Sequence, residues 1–469
     1  MRDCITKLRM ILRYSPALVL LLSLASSAGA SGLQVSSDGR FFTYRGETRL
    51  IFGESATQSV LQDANLDWRT WLDDLEQRGV RAALVWLFMA PRQEAARQHF
   101  DSRYGYAVPA LMPWQRTGPG RARDGGPLYD LTGFDPAFWN RLRDLCAGAE
   151  QRGILLLITL FDGWSKDFTY HPLNQVSGGI WPDRRDGRDA IAQLFAPDRE
   201  VAQEVWDPNW PAAKRNQWIW ERLAVQVLEV TQPFDNVFYE LYNEGSPGPE
   251  WAAHFRRFLK ARSDKPLGHD RDPAFDFVTY HVAVGKPETV LKISALLGPD
   301  APPRPLVITE TMPAYLRGAS LAAIRRVVWG AALSGQHVFV QNDGVFRFDP
   351  HAAGSERGAA ARDLVARADQ FFQQGGANLP ELRPSQAEVR AGQVLVLADS
   401  HGPRYAYCWA GRDFILDLGE PRSWRARWYD VRAGTWSEPE SFEASGSHRL
   451  VKPDAQDWAL TLQGVPSQR

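Results

Sequence analysis

Three residues able to move protons or hold a hydroxyl group fall within the stretch "VFYELYNE", Val237 to Glu244: Glu240, Asn243 and Glu244. A further glutamate, Glu310, ends the run "PLVITE", 66 positions after Glu244. Two carboxyl groups facing one cavity can divide an acid–base task. One is protonated and donates to a leaving oxygen, while the other is ionised and attacks carbon or activates water. Side chains alternate along an extended strand, so Glu240, Tyr242 and Glu244 are expected to share one direction. Glu240, in the middle of the apolar run, reads as an internal structural partner. Glu244, at its end before Gly245, reads as the functional group.

These residues need a scaffold that delivers strand ends to one place. Apolar runs recur down the chain: "RLIFG", "VRAALVWLF", "ILLLITLF", "NVFYELYNE", "FDFVTYHV", "RPLVITET" and "QHVFVQND". The short "DKPLGH" serves as a stub of fifth strand. Between them lie amphipathic segments such as "DWRTWLDDLEQRG" and "GPEWAAHFRRFLKARS", with "PETVLKISALL" as the helix after strand six. Asp135 caps one of them with Pro136 at its first position. Strand–helix alternation argues for a parallel sheet, and eight units argue for a closed (β/α)8 TIM barrel. The turn "GESATQS" after strand one lacks the glycine fingerprint of a dinucleotide-binding open sheet. Long connections, Ala90 to Thr132 and Asp162 to Trp210, would wall one end of the barrel mouth. Beyond Asn378, short strands with Gly, Pro and Asp turns predict a small all-β sandwich domain. The division expected is residues 1–30 leader, 31–376 barrel and 377–469 β-sandwich.

In such a barrel, functional groups sit at the carboxyl ends of the strands. The candidates in order are Glu54, Trp86, Asp162 with Trp164, Asn243 with Glu244, His269, Tyr280 with His281, Glu310, and Asn342 with Asp343. Glu244 and Glu310 are the catalytic candidates and the others are substrate contacts. His171 and the loop tryptophans carry less weight.

Composition narrows the class. The 469 residues are 44% hydrophobic and 23% charged, with net charge −1, so no footprint for nucleic acid or an anionic membrane is present. Arg2, Lys7, Arg9 and Arg13 precede a short apolar core, and Ala28-Gly29-Ala30 has the small-residue pattern of a cleavage site. This predicts export to the periplasm or outside the cell, a mature chain of charge −4, and no membrane span in it. Of three cysteines, Cys146 and Cys408 remain after the leader, as one disulfide or as two buried thiols. No Cys/His spacing suggests a metal, and no cofactor is expected. Eighteen tryptophans are mostly packing, with some on loops as platforms for a pyranose face. A monomer that binds carbohydrate fits these features.

"YELYNE" followed by "LVITET" resembles the clan A glycoside hydrolases, retaining (β/α)8 enzymes. The resemblance spans about residues 33–350. It implies Glu244 as acid/base, Asn243 as a contact to a sugar hydroxyl and Glu310 as nucleophile, with Tyr280-His281 placed to hydrogen-bond the nucleophile. It requires Glu244 to hold a proton while Glu310 is ionised. The C-terminal motifs "WYDVRAGTW" and "DWALTL" resemble the domain that follows apiosidase-like barrels. Two departures stand out. The 66-position spacing forces an abbreviated fifth unit around Pro266 to Pro273, and strand eight ends in "QND" where the clan commonly has tryptophan. The expected activity is retaining hydrolysis of a plant or bacterial poly- or oligosaccharide, with the loops favouring exo-action in a pocket. The competing reading is a non-catalytic carbohydrate-binding or surface-adhesion protein, which has no need of two convergent carboxylates.

Overall fold

The computed structural model describes residues 32–57, 59–62, 66–88, 111–123, 125–163, 171–182, 199–244, 247–282, 303–311, 320–341, 356–400 and 402–465. The expected leader, Trp164, Asn342, Asp343 and the helix expected after strand six lie outside them.

The chain opens with a three-stranded antiparallel sheet: β1 (Gln34–Val35), β2 (Phe42–Tyr44) and β3 (Glu47–Arg49). Eight parallel strands then close into the expected barrel. In space they run β4 (Phe52–Thr57), β5 (Ala82–Trp86), β8 (Leu155–Asp162), β9 (Val237–Asn243), β10 (Leu267–Asp270), β11 (Phe277–His281), β12 (Leu306–Glu310) and β13 (His337–Gln341). Closure is made where β13 pairs β4, Val338 beside Phe52 and Gln341 beside Ser55.

The helices are α1 (Trp68–Arg78), α2 (Pro136–Gln151), α3 (Ala212–Thr231), α4 (Pro249–Lys260), α5 (Leu321–Leu333) and α6 (Glu356–Gln374). Their caps follow from local chemistry. The Asp67 and Asp135 carboxylates accept the N–H groups of Arg69 and Ala137, and Pro136 needs no donor at its first-turn position. Each helix lays an apolar stripe on the barrel, as Trp68, Trp71, Leu72 and Leu75 of α1 do.

Two cores result. The interior one is aliphatic and aromatic at the amino ends of the strands, where Phe42 and Tyr44 of β2 plug the barrel. The Phe42 ring meets Phe238 and Phe277, each at 5.4 Å. Gly268 makes room there: a Cβ at that position would lie 2.1 Å from the Phe277 ring. The outer core lies between barrel and helices and continues into the C-terminal unit.

Two expectations about connections change. The segment Ala90 to Thr132 is not loop throughout, since β6 (Trp114–Arg121) and β7 (Pro127–Phe134) form an antiparallel ribbon. Trp114, Tyr129 and Leu131 bury one side of it, a signal masked in sequence by its glycines and arginines. The fifth unit is abbreviated as the spacing requires. β10 passes directly to β11 through a tight connection in which Arg271 takes a left-handed φ of 52°.

The C-terminal unit is antiparallel: β14 (Arg383–Pro384), β15 (Val389–Ala398), β16 (Arg404–Asp417), β17 (Arg422–Asp430), β18 (Thr435–Trp436), β19 (Glu440–Ala444), β20 (Ser447–Val451) and β21 (Trp458–Val465). The long strand β16 pairs β21 with its first half and β20 with its second, so the layers stay joined around a core that includes Phe414, Trp424 and Leu460. The opposite face packs on α5 and α6. There Trp329 stacks on Tyr407 at 5.6 Å and Phe371 lies 5.5 Å from Tyr429. Arg325 of α5 reaches across to Asp457 with two contacts of 2.6 Å, and the Tyr407 hydroxyl donates to the same carboxylate at 2.9 Å. Cys146 and Cys408 are both buried free thiols.

Removing one partner of a buried ion pair strands the other in a low-dielectric site. Asp457→Ala is therefore expected to lower unfolding free energy by about 3–5 kcal/mol. Denaturant titration monitored by tryptophan fluorescence measures this, and a change under about 1 kcal/mol would contradict the role assigned to the pair.

Candidate active site

The carboxyl ends of the strands converge as the barrel requires, and three side chains meet there. One oxygen from Glu244, one from Glu310 and a ring nitrogen of His281 all lie within 4.8 Å of one another. Glu310 closes β12 and is buried. His281 is placed beside it by an irregularity in β11. The register shifts between Tyr280 and His281, so His281 becomes the cross-strand neighbour of Glu310. Its Nδ1 is 3.6 Å from Glu310 Oε2, an electrostatic contact longer than a hydrogen bond. Burial, helped by the Arg271 cation, brings the His281 pKa down to about 4, so the ring is neutral at ordinary pH.

Glu244 reaches the same place by a different device. Strict alternation from Glu240 fails at Tyr242, which turns outward and packs its ring on Trp251 of α4 at 5.4 Å. The next residues recover the cavity through a change of backbone hand, since Glu244 has φ 50°. A left-handed conformation is uncommon for a residue with a side chain and costs on the order of 1–3 kcal/mol. Neighbouring β8 supports it. Gly163 N–H donates to the Asn243 carbonyl at 2.8 Å, and the Asn243 amide donates to Asp162 Oδ1 at 3.1 Å. A Cβ at Gly163 would sit 2.1 Å from the Glu244 carbonyl oxygen.

Glu240 stays inside, as its position in the strand suggested. The Thr159 hydroxyl donates to one carboxyl oxygen at 2.8 Å and the Thr309 hydroxyl to the other at 3.0 Å, with Thr279 facing the same group. Burial dominates and raises its pKa to about 7, against the lowering effect of the hydroxyls and with a further push from Asp270.

Glu54 is the clear correction among the substrate contacts. It points out of the barrel, where Trp71 Nε1 donates to it at 3.1 Å and Arg362 Nε at 2.8 Å. Arg362 also pairs with Asp74 at 2.7 Å. One partner sits on α1 and the other on α6, 308 positions on, so its strand-end position alone was misleading.

Trp86 does face inward, at the top of the interior core. Tyr280 is half-buried within electrostatic reach of Asp270 and Arg271. His171 is structural: it stacks on Trp181 at 4.6 Å and accepts the Leu173 N–H, and burial lowers its pKa to about 3. Trp181 is likewise core, with its indole N–H on Asn216. The Val201 and Ala202 N–H groups both donate to buried Glu221 at 2.7 Å, which pins part of the second long connection to α3.

Sequence reading missed Asp270 and Arg271. Strand five ends at Asp270 rather than His269, which is buried against Phe275. Asp270 and Arg271, 3.7 Å apart and accessible, occupy the strand-five end of the mouth. The signal was a strand too short to register by hydrophobicity. As a donor set, Glu244, His281 and Glu310 are close enough to hold a metal ion, and the same trio suits metal-free acid–base work.

With this geometry in hand, known structures can be compared. A glycoside hydrolase superposes with a TM-score of 0.62 at 12% identity, over 92% of this chain and 97% of the other. A family 5 glycoside hydrolase from Bacteroides vulgatus gives the same score and identity over 92% and 94%. The fold, a (β/α)8 barrel followed by an antiparallel β unit, is shared with these glycoside hydrolase structures. The matched stretch exceeds the barrel, so the likeness in fold extends into the C-terminal unit. No protein-family model and no curated protein sequence matches the chain.

Two consequences of burial can be measured. A carboxyl whose folded pKa lies above its ordinary 4.5 is held protonated by the fold. Its stabilisation is complete below about 4.5 and is lost as pH rises toward 7, a loss of roughly 3 kcal/mol. Glu240→Gln should flatten the melting temperature between pH 4.5 and 7, and an unchanged slope would remove Glu240 as its source. Glu54→Ala should lower unfolding free energy by about 3 kcal/mol by stripping one carboxylate from buried Arg362. Activity per folded molecule is expected to stay within about twofold, and a raised KM at full stability would restore Glu54 as a substrate contact.

Proposed function

We propose that the chain is an exported retaining glycoside hydrolase acting on a poly- or oligosaccharide of plant or bacterial origin. The single observation that carries the reading is the approach of Glu244 to Glu310. Their closest oxygens lie within 4.8 Å, beside His281. Retaining glycosidases hold the two groups about 5–5.5 Å apart, whereas inverting ones leave about 6.5–9.5 Å for a water. The short separation therefore favours direct attack by one carboxylate.

In the first step Glu310 attacks the anomeric carbon and forms a glycosyl ester. The bond from that carbon to the leaving oxygen breaks, and Glu244 gives its proton to that oxygen. In the second step Glu244, now ionised, takes a proton from water while the water oxygen attacks the same carbon and releases Glu310. His281 suits this sequence because a neutral imidazole can orient Glu310 without cancelling the negative charge it needs for attack. Asn243 retains amide hydrogen-bonding capacity for a sugar hydroxyl beyond its bond to Asp162. Export rests on the leader-like sequence of residues 1–30. The non-catalytic carbohydrate-binding reading has no use for a strained glutamate beside a second carboxylate.

The purified protein and its Glu244→Gln and Glu310→Gln variants should be screened together on a polysaccharide panel. The expectation is that Glu310→Gln abolishes hydrolysis, with a loss of about 10⁴-fold or more, and that Glu244→Gln loses about 10²–10⁴-fold on unactivated glycosides. Proton NMR of the first-formed product should show the anomeric configuration of the substrate. Full hydrolysis by Glu310→Gln, or an inverted product, would sink the assignment.

A further inference from the structure

The sequence marked Asp162 as a sugar contact, but its surroundings give it another task. We infer that Asp162 and Gly163, at the end of the third barrel strand, are the positioning element of the acid/base glutamate. The inference rests on the glycosidase reading of Glu244.

Asp162 and Asn243 are register partners at the ends of β8 and β9, and both are buried. The Asn243 amide turns its NH2 toward Asp162 Oδ1 and donates to it at 3.1 Å. That fixes the flip of the amide and leaves its carbonyl oxygen and one N–H for other partners. One residue on, the Gly163 N–H takes the Asn243 carbonyl at 2.8 Å. Asn243 is thereby held through its side chain by Asp162, the last residue of β8, and through its backbone by Gly163, which follows it.

The chain then has one residue in which to redirect Glu244. The φ of 50° there is a conformation that nothing in a glutamate favours, so its surroundings must impose it. The space for the turn exists because residue 163 has no side chain. A Cβ would lie 2.1 Å from the Glu244 carbonyl oxygen and 2.6 Å from the Tyr242 ring. Those two contacts fall on the residue that breaks the alternation and on the residue that changes hand. Gly163 is thus the position where both departures of strand four from regular geometry are accommodated. Asp162 locks the residue between them.

The inference separates from a general structural role because acid catalysis matters only when the leaving group needs a proton. Asp162→Asn and Gly163→Ala should be compared with wild type on two glycosides of the same sugar, a natural alcohol leaving group and a 2,4-dinitrophenyl one. Misplacing the proton donor by about 1 Å costs on the order of 10²-fold. The glycosylation rate on the natural glycoside is expected to fall about 10²-fold in both variants, with the activated glycoside changing less than about fivefold. Equal losses on both substrates, or no loss on either, would overturn the inference. Glu244→Gln and Glu310→Gln run beside them as controls. If Glu310→Gln is not inactive on both substrates, the glycosidase assignment itself fails, a pattern distinct from any failure at Asp162. A crystal structure of Gly163→Ala adds a readout free of activity: Glu244 should leave the left-handed region, and an unmoved Glu244 counts against the role of Gly163.

Discussion

Hydrogen bonding of β13 to β4 closes the barrel, and closure is what lets two glutamates 66 positions apart come within 4.8 Å. An open sheet with the same strand order would leave its first and last strands as separate edges. In the closed form every strand end delivers its last residue to one mouth. The interior must then be filled at the other end, and the N-terminal sheet does this with Phe42 and Tyr44. Above that aromatic floor lie Glu240 with the threonines facing it and then the Glu244–His281–Glu310 cluster.

That layering has an energetic logic. A carboxyl as buried as Glu240 is costly when ionised, and hydroxyl donors from Thr159 and Thr309 offset only part of the cost. Protonation resolves the conflict, and a neutral Glu240 also adds no charge beneath the two carboxyls above it. Apolar packing would be the more stable filling of the same space by the usual comparison of buried charge with hydrophobe. The polar layer is instead consistent with a site that has to hold several acids close together without all of them ionised.

The barrel rhythm was legible because each strand is a near-continuous apolar run and each helix carries a 3.6-residue stripe. The Asn-Glu ending of strand four and the Glu ending of strand seven were legible because closure acts on strand ends and not on distances along the chain. Other features were hidden for physical reasons. Glu54 lies within β4, yet it faces outward because Trp71 and Arg362 wait there on helices, and Arg362 is 308 positions away. Alternation carried the direction of Glu240 correctly and then failed at Tyr242, where an aromatic contact with Trp251 outweighs the strand's period. The β6–β7 ribbon hid behind glycine and arginine because a two-stranded element needs only one buried side. Asp270 and Arg271 hid because a four-residue strand has too few positions to show a period.

The C-terminal unit bears on this chemistry through α5 and α6. These helices follow strands seven and eight, and their outward faces are apolar: Trp329, Phe371 and Phe372 each pack against a tyrosine of the antiparallel sheet. A barrel without that cover would expose a large aromatic patch of the kind that drives association. The buried Arg325–Asp457 pair sits within the covered face and adds direction to an otherwise non-directional contact. Strand seven carries Glu310, and the helix that follows it carries Arg325. The second unit therefore braces the same strand–helix pair on which Glu310 is mounted, from the outer side of the barrel.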